Sequence, residues 1–426
     1  MTKSKKELIN YLKDRPIVIW GARMTGMGFS RFSHSVQLKV LNFVDSDPAL
    51  ENKNVNGIKV LNPSSLPSLK EKYPNLAIVI AVSIKESEII SLLAEMNLNA
   101  NDFVLYSDYC ESFYTIDVMG TCNLKCPSCA HSLPGVNDTK KVMSFDDFKQ
   151  VIDKIQRENE LVTHVSLYSW GEPLLHRQLP KIIKYLHDQN IAAAISSNLS
   201  IIDAKQIDAV IYASPEYLKV SLSGFYPAAY NKTHTGGDIN LVKSNLYRIK
   251  FLIEKYNAKT FVDVNYHLYT NNNGKNLEKM KELCNELGFS LSVTHSLVMP
   301  LERCLDHCDG IKNSQTEDLS KLLLVNIDEG IEATKNQHIK ECPFRENQIN
   351  INWDLTVPVC CTVFDYEGTI VADNYLKSSL AQINKNKSTS KVCKKCMGYG
   401  LPAYNMGLNK KAWNEISATK ISLDLQ

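Results

Sequence analysis

Ten residues constrain this chain more than any others: Gly120-Thr121-Cys122-Asn123-Leu124-Lys125-Cys126-Pro127-Ser128-Cys129. They hold three cysteines at C-x3-C-x2-C spacing, just after a β-prone run at 114–119 that reads as a strand. Thiolates are soft ligands that select zinc or iron–sulfur clusters. Three protein thiolates on a four-iron cube leave one iron open to a second molecule, whereas a structural metal site closes all its positions. The competing reading is a zinc knuckle whose fourth ligand is His131. The chain has twelve cysteines, and most are grouped: Cys122, Cys126 and Cys129, then Cys304 and Cys308, Cys342, Cys360 and Cys361, and Cys393 and Cys396. Grouping of this kind in a cytosolic chain argues for metal rather than disulfides. Cys110 and Cys284 stand alone and read as ordinary buried thiols.

With Asn123-Leu124 behind the first cysteine, the stretch resembles the signature of radical S-adenosylmethionine (SAM) enzymes. Ser128 stands where many members of that family carry an aromatic residue. The resemblance implies a 4Fe–4S cluster on Cys122, Cys126 and Cys129 whose open iron chelates the amino and carboxylate groups of SAM. It implies reductive cleavage of SAM to a 5′-deoxyadenosyl radical, fed by an electron donor such as flavodoxin or ferredoxin.

At 426 residues the chain exceeds one ordinary domain, and two or three are expected. Lys+Arg and Asp+Glu nearly cancel, 48 against 46, so nothing in the charge points to nucleic acid or to an anionic membrane. Residues 1–13 are Lys-rich and amphipathic, unlike a signal peptide, and no apolar run approaches the ~20 residues of a spanning helix. A cytoplasmic protein is expected.

The first block, residues 1–108, alternates strand and helix patterns. A strand at 16–20 runs into Gly21-Ala22-Arg23-Met24-Thr25-Gly26, which matches G-x-G-x-x-G with Arg23 in place of the second glycine. A strand at 39–44 ends in Asp45-Ser46-Asp47-Pro48, and an acid about 20 residues past the glycines can hold a ribose hydroxyl. A strand at 76–82, a helix at 86–96 and an edge strand at 104–106 complete a parallel α/β unit. With Gly57-Ile58-Lys59-Val60, the block resembles the Rossmann-like modules of sugar-modifying enzymes. Two readings stand. Gly21, Gly26 and Asp45 bind a nucleotide, with Arg23 on a phosphate, or the fold is degenerate and docks a substrate or partner.

Residues 112–300 show six strand–helix units, which the resemblance turns into a partial (β/α)6 TIM-type barrel. Chemistry in such barrels sits at the carboxyl ends of the strands. There Ser169-Trp170-Gly171-Glu172-Pro173 resembles the family's G-G-E-P motif, with Trp170 in the first glycine's place. This implies that Gly171 and Glu172 receive the SAM ammonium; the bland reading is a loop with a Pro stop. Ser197 and Asn198 stand where the family binds SAM carboxylate or ribose, and Ser221 is a further SAM contact by the same resemblance. Asn265 and His267 share the fifth strand, and His267 either meets the substrate or is a core histidine.

In residues 301–426, Cys304 and Cys308 supply either a catalytic thiol or a structural one. Cys342 precedes a hairpin-like run at 348–361 ending in Cys360-Cys361, and Cys393-Lys394-Lys395-Cys396 follows. The pattern resembles a truncated SPASM-type extension, with Leu355 in place of a usual Gly. It implies one auxiliary 4Fe–4S cluster on Cys342, Cys360, Cys393 and Cys396, with Cys361 the alternative to Cys360; a zinc ribbon on the same thiolates stands beside it. The tail from 401 carries no readable motif.

The expected protein is therefore an α/β radical SAM enzyme acting on a sugar or nucleotide-linked small molecule. The auxiliary cluster would give oxidation, and a returning thiol would give epimerisation. The alternatives are a peptide-modifying maturase and a non-catalytic, zinc-stabilised binding protein without iron.

Overall fold

The computed structural model describes residues 2–424, apart from 83, 134, 135, 137–140, 338 and 365–367. The chain starts with helix α1 (Lys5–Leu12), where the Ser4 hydroxyl accepts from the Glu7 amide and the Glu7 carboxylate accepts from the Ser4 amide. The first sheet contains β1 (Ile17–Trp20), β2 (Val40–Val44), β3 (Asn54–Val55), β4 (Ile58–Leu61), β5 (Ala77–Ile80) and β6 (Phe103–Leu105). Their order is β3-β4-β2-β1-β5-β6, with β1 central and crossovers to both sides, the doubly wound arrangement. Helices α2 (Met24–Ser35), α3 (Leu66–Lys72) and α4 (Glu86–Glu95) connect these strands. The short β3–β4 hairpin is absent from the sequence reading. Its signal is the Asn56-Gly57 turn, both residues at positive φ.

The second sheet begins with β7 (Phe113–Ile116), β8 (His164–Ser166), β9 (Ala192–Ser197), β10 (Tyr217–Leu222), β11 (Phe261–Leu268) and β12 (Ser290–His295). Between them run α5 (Phe145–Glu158), α6 (Leu179–Asp188), α7 (Ala204–Ala213), α8 (Pro227–Thr233), α9 (Ile239–Tyr256) and α10 (Lys275–Leu287). The strands are parallel neighbours in chain order and form a partial TIM-type barrel.

The C-terminal block adds α11 (Leu301–Cys308), α12 (Ser314–Leu322), α13 (Ile327–Thr334), α14 (Pro343–Glu346), β13 (Gln348–Ile351), β14 (Val357–Pro358), β15 (Ile370–Ala372), α15 (Leu380–Thr389), α16 (Lys391–Gly398), α17 (Leu401–Asn405) and α18 (Lys410–Asp424). Here the structure corrects the hairpin expected at 348–361. β13 pairs in parallel with β7 and becomes the seventh strand of the barrel sheet, while β14 pairs antiparallel with β15. The motif-free tail supplies Tyr404 and Trp413 to the C-terminal core, beside Val298, Cys304 and Leu319. No helix among the described residues is long and apolar enough to cross a membrane.

The two-residue period of the barrel strands separates two faces. Val165, Ile195, Val220 and Val264 pack with Ile155, Ile182, Val210, Ile249 and Met280 of the surrounding helices. The opposite face is polar or aromatic, and α2 of the first block lies against it. Met27, Phe29 and Phe32 share a core with Phe113, Ala194 and Tyr217. A Cβ on Gly28 would stand 2.7 Å from the Thr163 carbonyl oxygen, so helix and strand meet backbone to backbone.

Arg23, just ahead of α2, fastens this contact. Its Nε donates to Asp263 Oδ2 (3.0 Å), and its Nη2 donates to Asp47 Oδ2 (2.6 Å) and Ser292 Oγ (2.8 Å). Burial opposes the Arg23 charge; Asp263 first, then Tyr217, Asp45 and Asp47 outweigh it, and the pKa rises. Farther along α2, Arg31 Nη1 meets Glu216 Oε1 at 2.7 Å.

His164 lies buried at the α2–β8 contact, its ring 6.0 Å from that of Phe113, and burial lowers its pKa to about 4. The unfolded side chain titrates near 6.5, so between about pH 6.5 and 4 the unfolded chain binds more protons. Stability is therefore lost as pH falls through that window, by up to about 3 kcal/mol from this residue. The His164→Leu variant is expected to lose less stability between pH 7 and 4.5 than the parent, read by urea unfolding at both pH values. Equal losses would remove His164 as the source.

Candidate active site

A cavity of about 360 Å³ opens at the carboxyl ends of the barrel strands. Cys122, Cys126 and Cys129 line it from the loop after β7. Gly171 and Glu172 line it from the loop after β8, Ser197 and Asn198 from the end of β9, and Ser221 from β10. The structure thus brings the three cysteines and the five expected SAM-contact residues to one space.

Close backbone approach makes this possible. Gly171 lies so near β7 that a Cβ would fall 1.3 Å from the Met119 carbonyl oxygen. The next residue, Glu172, turns its carboxylate inward. Oε1 accepts from the Leu174 amide (3.0 Å) and Oε2 from the Asn198 amide (2.8 Å), which ties the loops after β8 and β9 together. Asn198 in turn points Nδ2 at Cys122 Sγ (3.6 Å) and Asn123 Oδ1 (3.0 Å). The Leu124 amide also donates to Cys122 Sγ (3.4 Å). These donors favour a sulfur that carries charge.

Burial raises the thiol pKa values, Cys122 to about 12, Cys129 to about 11 and Cys126 upward as well. These thiols are therefore protonated at neutral pH, and a metal that binds them displaces protons. Among the described residues, no three of His, Cys, Asp or Glu gather closely enough to share one metal ion. Three cysteines lining one space are a donor set for a cluster, in which each thiolate takes a different iron. His131 is buried beside Phe364 and is not among the residues lining the cavity, so it does not complete a zinc knuckle there.

Several residues of this region carried no sequence signal. Asp117, buried just past β7, accepts from the Trp170 amide (3.3 Å). Burial raises both Asp117 and Glu172 to about 7, against the pull of the backbone amides bonded to them. Arg303 of α11 donates through Nη1 to the Pro127 carbonyl (2.7 Å) inside the cysteine loop. Tyr269 Oη donates to Ser128 Oγ (3.0 Å). Trp170 donates through Nε1 to the Val363 carbonyl (3.0 Å), which ties the loop after β8 to the C-terminal block. His267 lines the cavity, together with His234 and His295. Asn265 instead accepts from Thr294 Oγ1 (3.4 Å) and lies outside the lining.

A second, smaller cavity is lined by Cys342, Cys360, Cys393 and Cys396, together with Arg345, Thr362 and Asn405. Cys361 is not in its wall. Cys393 and Cys396 lie three residues apart on α16, and Ser390 caps that helix by accepting from the Cys393 amide. Lys387 is buried nearby and donates Nζ to the carbonyls of Arg345 (3.2 Å) and Gln348. Burial lowers its pKa to about 8, and the thiols of Cys360, Cys361 and Cys393 oppose that shift. Four thiols with two cations beside them form a donor set that fits an anionic metal cluster.

Two sequence expectations are corrected. Cys304 and Cys308 lie outside the cavity wall. Cys304 is buried in the C-terminal core and donates Sγ–H to the Val298 carbonyl (3.3 Å), and Cys308 packs at the edge of the same core. In the first block, Asp45 accepts from the Ala22 amide at Oδ2 and the Asp47 amide at Oδ1, both at 2.9 Å, so its oxygens serve the turn itself. Gly21 (φ +111°) and Gly26 answer close packing: a Cβ would lie 2.7 Å from the Ala81 carbonyl oxygen at the first and 1.7 Å from the Gly21 carbonyl oxygen at the second. Arg23 is held by carboxylates rather than poised for a phosphate.

Residues 116–287 match the family model described as the Radical SAM superfamily. A probable GTP 3',8-cyclase of Methanococcus maripaludis is 28% identical over 198 residues, covering 46% of this chain and 63% of that protein. The Fe-coproporphyrin III synthase of Methanosarcina barkeri is 29% identical over 103 residues, 24% of this chain and 25% of that protein. The chain thus spans less than two thirds of the length of these curated relatives. The crystal structure of Streptococcus suis SuiB bound to S-adenosylmethionine aligns with a TM-score of 0.46 at 12% identity, over 71% of this chain and 76% of that one.

The contact at Gly171 yields a test. In Gly171→Ala the methyl group collides with the Met119 carbonyl and pushes Glu172 off the Asn198 amide. SAM binding to the iron-loaded protein, measured by equilibrium dialysis, is expected to weaken by about tenfold or more, with a stability loss of about 1–3 kcal/mol. Unchanged affinity would show that the close approach does not shape the cavity.

Proposed function

We propose, from the premise that residues 116–287 make this chain a member of the radical SAM superfamily, that it cleaves SAM reductively at Cys122, Cys126 and Cys129 and oxidises a sugar or nucleotide-linked small molecule. The observation that carries the reading is the convergence of these thiols with Gly171, Glu172, Asn198 and Ser221 on one cavity. Bound there, a 4Fe–4S cluster and SAM supply reductive cleavage of the sulfonium and removal of a hydrogen atom from an unactivated C–H bond. A flavodoxin- or ferredoxin-type donor provides the electron.

The chain's own residues bind, orient and exclude water. Glu172 fixes the Asn198 backbone, and Asn198 orients toward Cys122. The Ser196 and Ser221 hydroxyls lie 3.3 Å apart and offer paired donors and acceptors to a ligand. Below them Tyr168 Oη rests on Met24 Sδ (3.1 Å), so α2 closes the floor against solvent.

The lining supports the substrate class. Besides Ser221, it includes Tyr269, Ser296 and Thr362 hydroxyls and the three imidazoles of His234, His267 and His295. Burial lowers His234 to about 4 and His267 to about 3, so both are neutral at pH 7. Among the described residues that line the cavity, no Lys or Arg is present. Neutral hydroxyl and imidazole groups match sugar hydroxyls better than a free phosphate or carboxylate. Relatives named for a reaction of GTP favour a nucleotide-linked member of this class. Oxidation is favoured over epimerisation because Cys304 and Cys308 lie away from the cavity, whereas the four-cysteine set shares Thr362 and Asn405 with it. On this reading the four cysteines hold an auxiliary 4Fe–4S cluster.

Anaerobic reconstitution with iron and sulfide tests the proposal. Metal and sulfide counts and electron paramagnetic resonance, with and without SAM, are compared between wild type and a Cys122/Cys126/Cys129→Ala variant. Two clusters in wild type, one in the variant and a SAM-shifted signal are expected, with 5′-deoxyadenosine released faster with sugar nucleotides than with peptides. Zinc in place of iron, or no response to SAM, would sink the reading.

A further inference from the structure

We propose that Thr362 is a positioning residue that sets the reduction potential of the cluster held by Cys342, Cys360, Cys393 and Cys396. The inference rests on the auxiliary cluster proposed above. Thr362 Oγ1 lies 3.1 Å from Cys360 Sγ, and both residues are buried. In the free thiol either atom can donate. Once Cys360 is a thiolate on iron it has no proton, and the hydroxyl is the donor. A hydrogen bond to a cluster sulfur withdraws negative charge, favours the reduced state and raises the potential.

The hydroxyl is held where it can do this. The Thr362 carbonyl accepts from the Leu301 amide at the start of α11 (2.8 Å), which fixes the backbone two residues past Cys360. Thr362 and Asn405 are the residues that line both the substrate cavity and the four-cysteine cavity. Two residues therefore stand between the substrate space and the auxiliary sulfurs, and of the two it is Thr362 whose hydroxyl meets a cysteine sulfur. Lys387 and Arg345 supply charge on the same side as the thiols, but neither lines the substrate cavity. Of Thr362, Arg345 and Lys387, Thr362 is the one that also lines the substrate cavity.

The test uses the full chain in the Cys122/Cys126/Cys129→Ala background, where the auxiliary cluster is the one observed. Its potential is read by redox titration followed by electron paramagnetic resonance in that parent, in Thr362→Val and in Thr362→Ser. The Val variant keeps the shape and removes the donor. It is expected to titrate at a more negative potential than the parent, with unchanged iron and sulfide content, and the Ser variant is expected to return to the parent's value. A Val variant that titrates with the parent, or a Ser variant displaced as far as Val, overturns the proposal. If Val fails to load a cluster, Thr362→Ala carries the same expectation. Loss of the cluster in both would make the residue an assembly requirement and also overturn a role in potential. A parent that holds zinc, or no iron and sulfide, removes the auxiliary-cluster reading itself.

Discussion

A parallel sheet has to be covered on both faces, and the barrel's own helices cover one. The polar and aromatic side of β8–β12 would otherwise expose His164, Tyr217, Phe261 and Asp263 to water. Helix α2 takes the amino-terminal part of that side, with Gly28 on β8 and Arg23 clamped to Asp263 and Ser292. The cavity is the part that α2 leaves open, at the carboxyl ends of the strands. The first block thus backs the sheet beside the cavity, with Met24 behind Tyr168, while the described residues that line the cavity all come from later in the chain. Its glycine turn is spent on close packing and on the start of α2.

The cavity is built by buried groups whose charges are answered locally. Asp117 and Glu172 receive backbone amides and so shape the loops after β7, β8 and β9. Arg303 does the converse and donates to a backbone carbonyl inside the cysteine loop. Around the second cysteine set, Lys387 donates to two carbonyls and holds α14, β13 and α15 in mutual register. Each of these costs desolvation, and each is offset by hydrogen bonds that leave the backbone one arrangement. The thiols themselves are left protonated and available to metal.

What could be read in advance was whatever repeats at a fixed spacing. C-x3-C-x2-C, the Cys393–Cys396 pair and the alternation of strand and helix gave the cysteine sets and the parallel β/α units, and the family resemblance turned those units into a partial barrel and singled out Gly171 and Glu172. Lone polar residues gave no such pattern. Asp117, Arg303 and Lys387 matter through partners far away in the chain, and no local spacing announces that. The glycine turn at 21–26 left two readings open for a physical reason: a glycine needed for close backbone packing looks the same in sequence as one that admits a pyrophosphate. Strand β13 was missed as a barrel strand because a four-residue run of alternating polar and apolar residues followed by a turn suits a hairpin as well as a distant pairing.

That distant pairing bears on how the molecule comes into being. Strand β7 leads directly into the loop of Cys122, Cys126 and Cys129, and its outer edge pairs with β13 at Phe113–Gln348 through Ile116–Ile351. On the ribosome, the strand beneath the cysteine loop is made long before the neighbour that finishes the sheet. Until Gln348–Ile351 emerges, that edge has unpaired amides and carbonyls, and the growing protein carries an open seam beside the site that will hold iron. Sealing of that seam waits for a segment that begins only a few residues after Cys342. Vectorial synthesis therefore ties completion of the barrel edge to arrival of the first cysteine of the second set.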